Sequence, residues 1–348
     1  MGERIVLVRL SALGDIVHTW PLAVALKAHG IASSLTWVVE APFAPLVEGH
    51  PAVDRVVTVT TRAWRRRPLA PATLDGLRAL RRELEAVHPG LAIDPQGVAK
   101  SALVTRLVPA GRRVGLARPY RRERLAGLAY SETIPVPPEA THVVGWNLAF
   151  ATALGAPAFP GPPAPDGRWL LGPEAPGRDP GLAVLLPGAG QPGKVLPEET
   201  LAEVGRRLTA SGLRPVVAWG PGERDRAGRI AGLCNGEVAP PTTIPELAAL
   251  LARASVAVGA DTGPVHLAAS LGTPTVGVHL TTDAVRNAPL GPRVAVVSGA
   301  RPGTGRRAAA RTGMLRIPGA REIADAALEL LGKERSAPLP EDGAAVVE

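Results

Sequence analysis

Asp261 and His266 are the first side chains of the sequence to raise a chemical question. They lie in residues 255–279, SVAVGADTGPVHLAASLGTPTVGVH. The run SVAVGA is apolar and Val-rich, as a buried parallel strand requires. Asp261-Thr262-Gly263-Pro264 supplies a side-chain oxygen for a helix cap and a Pro for the first turn. VHLAASL follows as a helix, Gly272 and Thr273-Pro274 stop it, and TPTVGVH is the next strand. A helix that starts at the carboxyl end of a strand turns free N–H groups and the positive end of its dipole outward, which suits a phosphate. Asp261 and His266 flank that point. Read alone, Asp261 serves equally as a cap and His266 equally as a core histidine.

A second loop, Gly188-Ala189-Gly190-Gln191-Pro192-Gly193-Lys194, fits two motifs at once. As G-x-G-x-x-G it implies a dinucleotide site, but the next strand ends in Trp219-Gly220 with no acidic residue for a ribose. As G-x-x-x-x-G-K it implies a P-loop, but Val195 stands where Ser or Thr must hold magnesium. What remains is a glycine-rich loop with Lys194, able to approach and neutralise a diphosphate. Asp15 occupies the turn after the first strand, where ligands of open parallel sheets bind. It is either a general base or a helix cap. Three basic clusters follow in the same half: Arg62 to Arg67, then Lys100 with Ser101, then six Arg between residues 112 and 124. Such runs are commonly solvated faces. Three together in one half favour an anion groove over solvated faces, since Arg forks match phosphate and carboxylate.

The charge distribution agrees. Residues 1–170 carry a net +7 and residues 171–348 a net +1, so the N-terminal half is expected to meet an anionic partner. Because 35 of the 39 basic residues are Arg, their positions are more informative than their number. Nucleic acid is not expected: no nucleic-acid motif is present and aromatics are 3%. A single cysteine, Cys234, excludes an internal disulfide and a Cys-based zinc cluster, and no metal cluster is visible. The charged Met1-Gly2-Glu3-Arg4 leads straight into a strand, so no signal peptide is read, and no run is long and apolar enough for a membrane helix.

These residues need a scaffold of strands and helices in alternation. Strands are expected at 4–9, 35–40, 55–59, 91–94, 181–186 and 214–219. Helices are expected at 16–29, 74–87, 197–212, 244–253 and 321–331. This is the rhythm of α/β doubly wound parallel sheets. With 348 residues, two such domains are expected. The assignment is 1–160 for the first, 161–180 for a Pro/Gly-rich linker, 181–318 for the second, 319–332 for a C-terminal helix and 333–348 for a disordered tail.

Taken together, several segments resemble glycosyltransferase family 9. They are Arg9-Leu10-Ser11-Ala12-Leu13-Gly14-Asp15-Ile16-Val17-His18-Thr19, Trp37-Val38-Val39-Glu40, residues 93–102 (IDPQGVAKSA), the Arg-rich stretch ending in Leu128-Ala129-Tyr130, and Asp261-Thr262-Gly263-Pro264-Val265-His266-Leu267. They occur in family order from about residue 4 to about residue 280, and the 93–102 segment is similar to that of the members that add the first heptose. The resemblance implies a GT-B architecture of two Rossmann-like domains facing across a cleft, acceptor in the first and nucleotide sugar in the second. It implies inverting transfer of a heptose from ADP-heptose to Kdo of Kdo-lipid A, with no metal and no cofactor beyond the nucleotide sugar. It places the protein in the cytoplasm, peripherally on the inner membrane. Asp15 is then the base. Lys194, Gly190, Glu223, Asp261, Thr262, Gly263 and His266 face the donor. Arg62, Arg65, Lys100, Ser101, Arg121 and Arg122 grip the acidic acceptor. The last helix, 321–331, is expected to cross back to the first domain.

Two departures from the family pattern stand out. Lys194-Val195-Leu196-Pro197 replaces the usual Lys-x-Trp-Pro, and Gly188-Ala189-Gly190 replaces hydroxyl residues. Residues 142–147, HVVGWN, stand where an Arg is common. Three rival readings remain: a family 9 enzyme adding a second heptose or another sugar, a P-loop or dinucleotide protein built on residues 188–194, and a non-catalytic binder of the same ligands.

Overall fold

The computed structural model describes residues 2–188, 190, 192–300 and 316–332. The chain divides into two compact units. One comprises Met1–Glu174 and Val285–Leu290, the other Ala175–Ala284 with Gly291–Pro302 and the described part of the C-terminal segment.

The N-terminal unit runs β1 (Glu3–Val8), α1 (Leu13–Val17), α2 (Trp20–Ala28), β2 (Ala32–Glu40), β3 (Arg55–Val59), α3 (Thr61–Arg66), α4 (Pro71–Glu85), β4 (Leu91–Asp94), α5 (Ala99–Leu107), β5 (Arg112–Leu116), β6 (Glu132–Ile134) and α6 (Val143–Ala153). Its six strands are parallel, in the order β3-β2-β1-β4-β5-β6. Val6, Val8, Val38, Val57 and Ala92 from one face of the sheet pack on Leu80, Leu84 and Val104 of the covering helices. Each such side chain contributes roughly 1.5–3 kcal/mol by leaving water, Ala less.

The C-terminal unit runs β7 (Asp179–Leu186), α7 (Glu198–Ala210), β8 (Arg214–Val217), α8 (Arg224–Cys234), β9 (Glu237–Val238), α9 (Ile244–Arg253), β10 (Ala254–Ala260), α10 (Gly263–Ser270), β11 (Thr275–His279), β12 (Val294–Ser298) and α12 (Ala320–Leu330), while α11 (Ala284–Asn287), between β11 and β12 in the chain, belongs from Val285 onward to the N-terminal unit. Its strands are also parallel, in the order β12-β11-β10-β7-β8-β9. Numbered from its own first strand, this sheet has the same 3-2-1-4-5-6 order as the other. Each is the doubly wound arrangement whose strand order reverses between its first and fourth strands, at β1/β4 and β7/β10. The two doubly wound sheets are the pair of Rossmann-like domains expected for a GT-B chain.

Four local expectations are corrected. The single helix expected at 16–29 is two, because Pro21 enters the first turn of α2 and cannot continue a helix from α1. The basic loop around Arg62 is the helix α3. Much of the expected linker is fixed to the N-terminal unit, which extends to Glu174. Trp169 stacks edge-on against Trp20 at 5.6 Å and His50 at 5.1 Å, and Phe159 against His29 at 6.1 Å. High Pro and Gly content here marks irregular backbone, which two aromatic anchors hold down. Finally, α12 belongs to the C-terminal unit. Ile323, Ala324, Ala327 and Leu328 are buried in its core against α7, β11 and β12. The segment that joins the N-terminal unit is instead Val285–Leu290, where Ala288 carbonyl accepts from His142 Nε2 at 2.9 Å and the Arg286 guanidinium lies 4.5 Å from the Trp146 ring centre. The expected tail, 333–348, lies outside the described residues. No helix of the described residues is long and apolar enough to cross a membrane.

Candidate active site

Sequence-predicted residues gather at the switch point of each sheet, and the two groups are described in turn. After β1 the chain turns into α1, and Asp15 stands in the first turn of that helix. Its carboxylate is partly exposed and accepts a long bond from Ala12 N–H at 3.4 Å, so it does cap α1. It also sits between two guanidiniums: Arg9 Nη2 is 3.5 Å from Oδ1 and Arg122 Nη1 is 3.7 Å from Oδ2. Arg9 is buried, which lowers its pKa, and its Nε donates to the Asp15 carbonyl at 3.2 Å. Arg122 is exposed. The carboxylate is thus fixed from below by one Arg and met from the solvent side by another.

Across the switch point, β4 ends in the buried Asp94. Its Oδ1 accepts Gln96 N–H at 2.9 Å and Gly97 N–H at 3.1 Å, and its Oδ2 accepts the Tyr130 hydroxyl at 2.8 Å. Burial raises the Asp94 pKa, and these bonds oppose the rise. The turn requires Gly97, whose φ is +64°. Gln96 Oε1 accepts Leu10 N–H at 2.9 Å and so ties this turn to the end of β1. Lys100, opening α5, reaches back to Ser11, with Nζ donating to Oγ at 2.5 Å. Burial lowers the Lys100 pKa. Arg65 and Arg122 add to that, and Glu40 and Asp15 oppose it. These five charged groups therefore form one cluster around the turn that holds Asp15.

The acceptor set predicted from sequence divides here. Lys100 and Arg122 join the Asp15 cluster directly, and Arg65, on α3, acts on Lys100 through its charge. Arg62 is exposed on the same helix. Ser101 does not present itself: it is fully buried, and its hydroxyl donates to Val98 carbonyl at 3.0 Å while accepting Val98 N–H at 3.2 Å. Its role is to close the start of α5. Arg121 turns away from its neighbour Arg122. Its Nη1 donates to Leu116 carbonyl at 3.3 Å and its guanidinium lies 5.9 Å from the Tyr130 ring centre. As the structure places them, Ser101 closes the start of α5 and Arg121 packs on Tyr130, apart from the group around Asp15.

In the C-terminal unit, Asp261 follows β10 and Lys194 follows β7, on the two sides of the switch point. Lys194 Nζ donates to Asp261 Oδ2 at 2.7 Å. His266, on α10, lies with Nε2 3.1 Å from Asp261 Oδ1. Burial alone would raise the Asp261 pKa. The bond from His266 and the surrounding charges, first that of His266 and last that of Lys194, outweigh it and hold the carboxylate well below its ordinary range. Thr262 is the N-cap of α10, yet its buried hydroxyl has no hydrogen-bond partner among the described residues. Gly263 opens the helix with its own N–H, Pro264 carries none, and Val265 N–H already donates to the Thr262 carbonyl at 3.1 Å. A helix start with a cation beside it is an arrangement that suits an anion.

Glu223, ahead of α8, accepts Gly220 N–H at 2.9 Å. It presses on the loop after β7, so that a β-carbon at Gly188 would fall 2.5 Å from its carboxylate. Gly190 is exposed with open space around it, and Ala189 and Gln191 lie outside the described residues. The P-loop reading fails structurally as well, because Lys194 ends a short 3₁₀ turn and α7 starts only at Glu198, beyond Pro197.

A family model for glycosyltransferase family 9 (heptosyltransferase) matches residues 77–311. The chain belongs to glycosyltransferase family 9. The lipopolysaccharide heptosyltransferase 1 of Pseudomonas aeruginosa is 36% identical over 285 residues, 80% of this chain and 79% of that protein. The solved structure of Escherichia coli heptosyltransferase WaaC with ADP matches at TM-score 0.75 and 30% identity, covering 91% of this chain and 96% of that one. The same enzyme with ADP-2-deoxy-2-fluoro heptose matches at TM-score 0.72 and 31% identity, covering 92% and 97%.

Within this family 9 chain, three side chains that sequence reading left without a role complete the two groups. Glu40 ends β2 and grips the start of α3. Its Oε2 accepts Thr61 N–H at 3.2 Å and its Oε1 accepts the Thr61 hydroxyl. It thereby sets the helix that carries Arg62 and Arg65. His279 ends β11, and Thr282 follows it. Thr282 Oγ1 donates to Asp261 Oδ2 at 2.7 Å and therefore accepts from His279 Nδ1–H, 3.1 Å away. Burial lowers the His279 pKa to about 4, so the ring is neutral. The signal for Glu40 and His279 was positional: each is the last residue of a strand, at the ligand-binding end of its sheet. Among the described residues, no group of three or more His, Cys, Asp or Glu is placed to hold a metal ion.

Proposed function

We propose that this family 9 enzyme transfers a heptose from ADP-heptose to a Kdo sugar of Kdo-lipid A, with inversion and without a metal ion. The observation that carries the reading is the pairing at the two switch points. One holds a carboxylate on a cationic platform, and the other holds a Lys–Asp pair beside a helix N-terminus. Inversion by a single displacement needs one base and a stabilised leaving group, and this is that inventory.

In this reading Asp15 accepts the proton of the acceptor hydroxyl as its oxygen attacks the anomeric carbon. The bond from that carbon to the diphosphate oxygen breaks, and ADP leaves with the electron pair. Lys194, the Gly263 N–H and the dipole of α10 take up the charge that develops on the diphosphate. Thr262, with its unsatisfied hydroxyl, Gly263 and His266 line the diphosphate side, and Asp261 holds hydroxyls of the donor sugar. Glu223 faces the ribose, and Gly190 gives the donor room. Arg62, Arg65, Lys100 and Arg122 bind the carboxylates and phosphates of the acceptor. Because that acceptor is a lipid, the enzyme works peripherally at the cytoplasmic face of the inner membrane.

The test is ADP release from ADP-heptose, with and without Kdo-lipid A, in EDTA. Acceptor-dependent release in EDTA is the expected result. Release that needs added magnesium would sink the metal-free mechanism. Release with only a heptosylated acceptor would move the enzyme to a later step of the core. Asp15→Asn should lower kcat by roughly 10²–10⁴ and leave donor affinity intact, as removal of a general base does. Unchanged turnover in that variant would refute the role of Asp15.

A further inference from the structure

The Asp15 cluster is bordered by leucines that no core absorbs. After Arg122 the chain makes a 3₁₀ turn, Arg124–Ala129. Residues three apart in such a turn share a face. Ala126 and Ala129 form one face and are buried against Ala102 of α5 in a small cluster. Leu125 and Leu128 form another and are 74% and 83% exposed. Leu103, beside Ala102 on α5, is 48% exposed. Arginines frame this apolar surface: Arg124 starts the turn and Arg106 lies one turn after Leu103, both exposed. The combination recurs beyond α3, where Leu69 is 85% exposed directly after Arg65-Arg66-Arg67-Pro68. Lys100 feels the charges of Arg65, on α3, and of Arg122, just before the turn.

We propose that the 3₁₀ turn Arg124–Ala129 and the adjoining face of α5 form a membrane-docking surface for an anionic lipid bilayer. Leu103, Leu125 and Leu128 enter the interface while Arg106 and Arg124 pair with headgroup phosphates. Exposed leucines this complete are costly in water, and guanidiniums around them select a negatively charged partner. The turn follows directly on Arg122, which touches Asp15, so docking holds the base next to the headgroup layer where a lipid-linked sugar emerges. This deepens the reading of the acceptor as a lipid and rests on it for its purpose. The binding itself is measured without any acceptor.

The test uses the full chain and two kinds of vesicle, one of phosphatidylethanolamine with phosphatidylglycerol and one of phosphatidylcholine alone, in a sedimentation assay. The chain should partition onto the anionic vesicles and, in Leu125→Ser/Leu128→Ser, at least tenfold less, with an unchanged thermal melting curve for the variant. Equal partitioning of both chains would overturn the proposal, as would failure of the parent chain to bind anionic vesicles. Sedimentation velocity tests a second copy as the occupant: a dimer dispersed by the substitutions, with no difference on vesicles, also overturns it. Acceptor-dependent ADP release with a de-acylated acceptor is measured in parallel. Its loss in the parent chain would count against the transferase reading and leave the vesicle result standing.

Discussion

Lowering the pH from 7 to 5 should weaken the C-terminal unit through one side chain, His279. Sealed at the end of β11, it has a pKa lowered by burial to about 4, against an ordinary value near 6.5. Between those values the unfolded chain binds a proton that the folded chain refuses. Stability is therefore complete above about pH 6.5, falls as the pH drops, and levels off below about 4. The gap corresponds to about 3 kcal/mol at roughly 1.4 kcal/mol per unit, and about 2 kcal/mol of it is lost by pH 5. The assay is urea unfolding at pH 7 and pH 5 for the parent chain and His279→Asn. Asn keeps a donor near the position of Nδ1 for Thr282 but does not titrate. Asp261 and His279 feel each other's charge, but Asp261 stays ionised in both chains across this interval. Held far below its ordinary range, it keeps its contribution until well below pH 4. The parent should lose about 2 kcal/mol more than the variant over this interval. Identical losses would show that His279 accepts its proton in the folded state, and the account of a neutral ring holding Thr282 on Asp261 would fail.

Two substitutions test how each half of the site is positioned. Glu40→Ala removes the carboxylate that caps α3. A lost cap costs about 0.5–2 kcal/mol, which spent on acceptor binding raises the acceptor KM by roughly 2- to 30-fold with kcat little changed, as steady-state kinetics would show. Gly188→Ala drives a methyl group into the Glu223 carboxylate, whose flexible end gives way while the fold survives. If Glu223 holds the ribose, ADP affinity measured by calorimetry should fall on the order of tenfold, the scale of a lost charge-assisted hydrogen bond. Unaltered affinity would remove Glu223 from the donor site.

The doubly wound sheets were legible because β1, β4, β7 and β10 are short apolar runs, each followed by a glycine-bearing turn and a helix. Site residues at strand ends followed from the same rule. Side-chain direction was not legible. Arg121 and Arg122 are neighbours in sequence, yet one packs on Tyr130 and the other meets Asp15, because the chain at that point turns rather than continuing a strand or helix. Ser101 carries the right type at the right place, and its hydroxyl is spent on the start of α5. The segment before Glu174 read as a linker because composition reports the backbone's preferences. The three-body stack of Trp169 with Trp20 and His50 is a tertiary fact.

The altered loop after β7 shows how a departure from a family pattern should be weighed. Leu196, one of the departures from the resemblance drawn on sequence, has its side chain buried in the C-terminal core with Leu201 and Ile230. The exchange is thus between two apolar residues inside the fold, where volume and shape decide the cost. Lys194, two positions earlier, still reaches Asp261, and Thr262 still offers an unpaired hydroxyl at the start of α10. The missing hydroxyls at Gly188 and Gly190 are the exchange that touches the donor side, and at Gly188 the space is taken by Glu223. A hydroxymethyl group there would displace the very carboxylate proposed to bind the ribose. Gly188 and Glu223 are therefore a matched pair: the missing side chain at Gly188 leaves the space that the Glu223 carboxylate occupies.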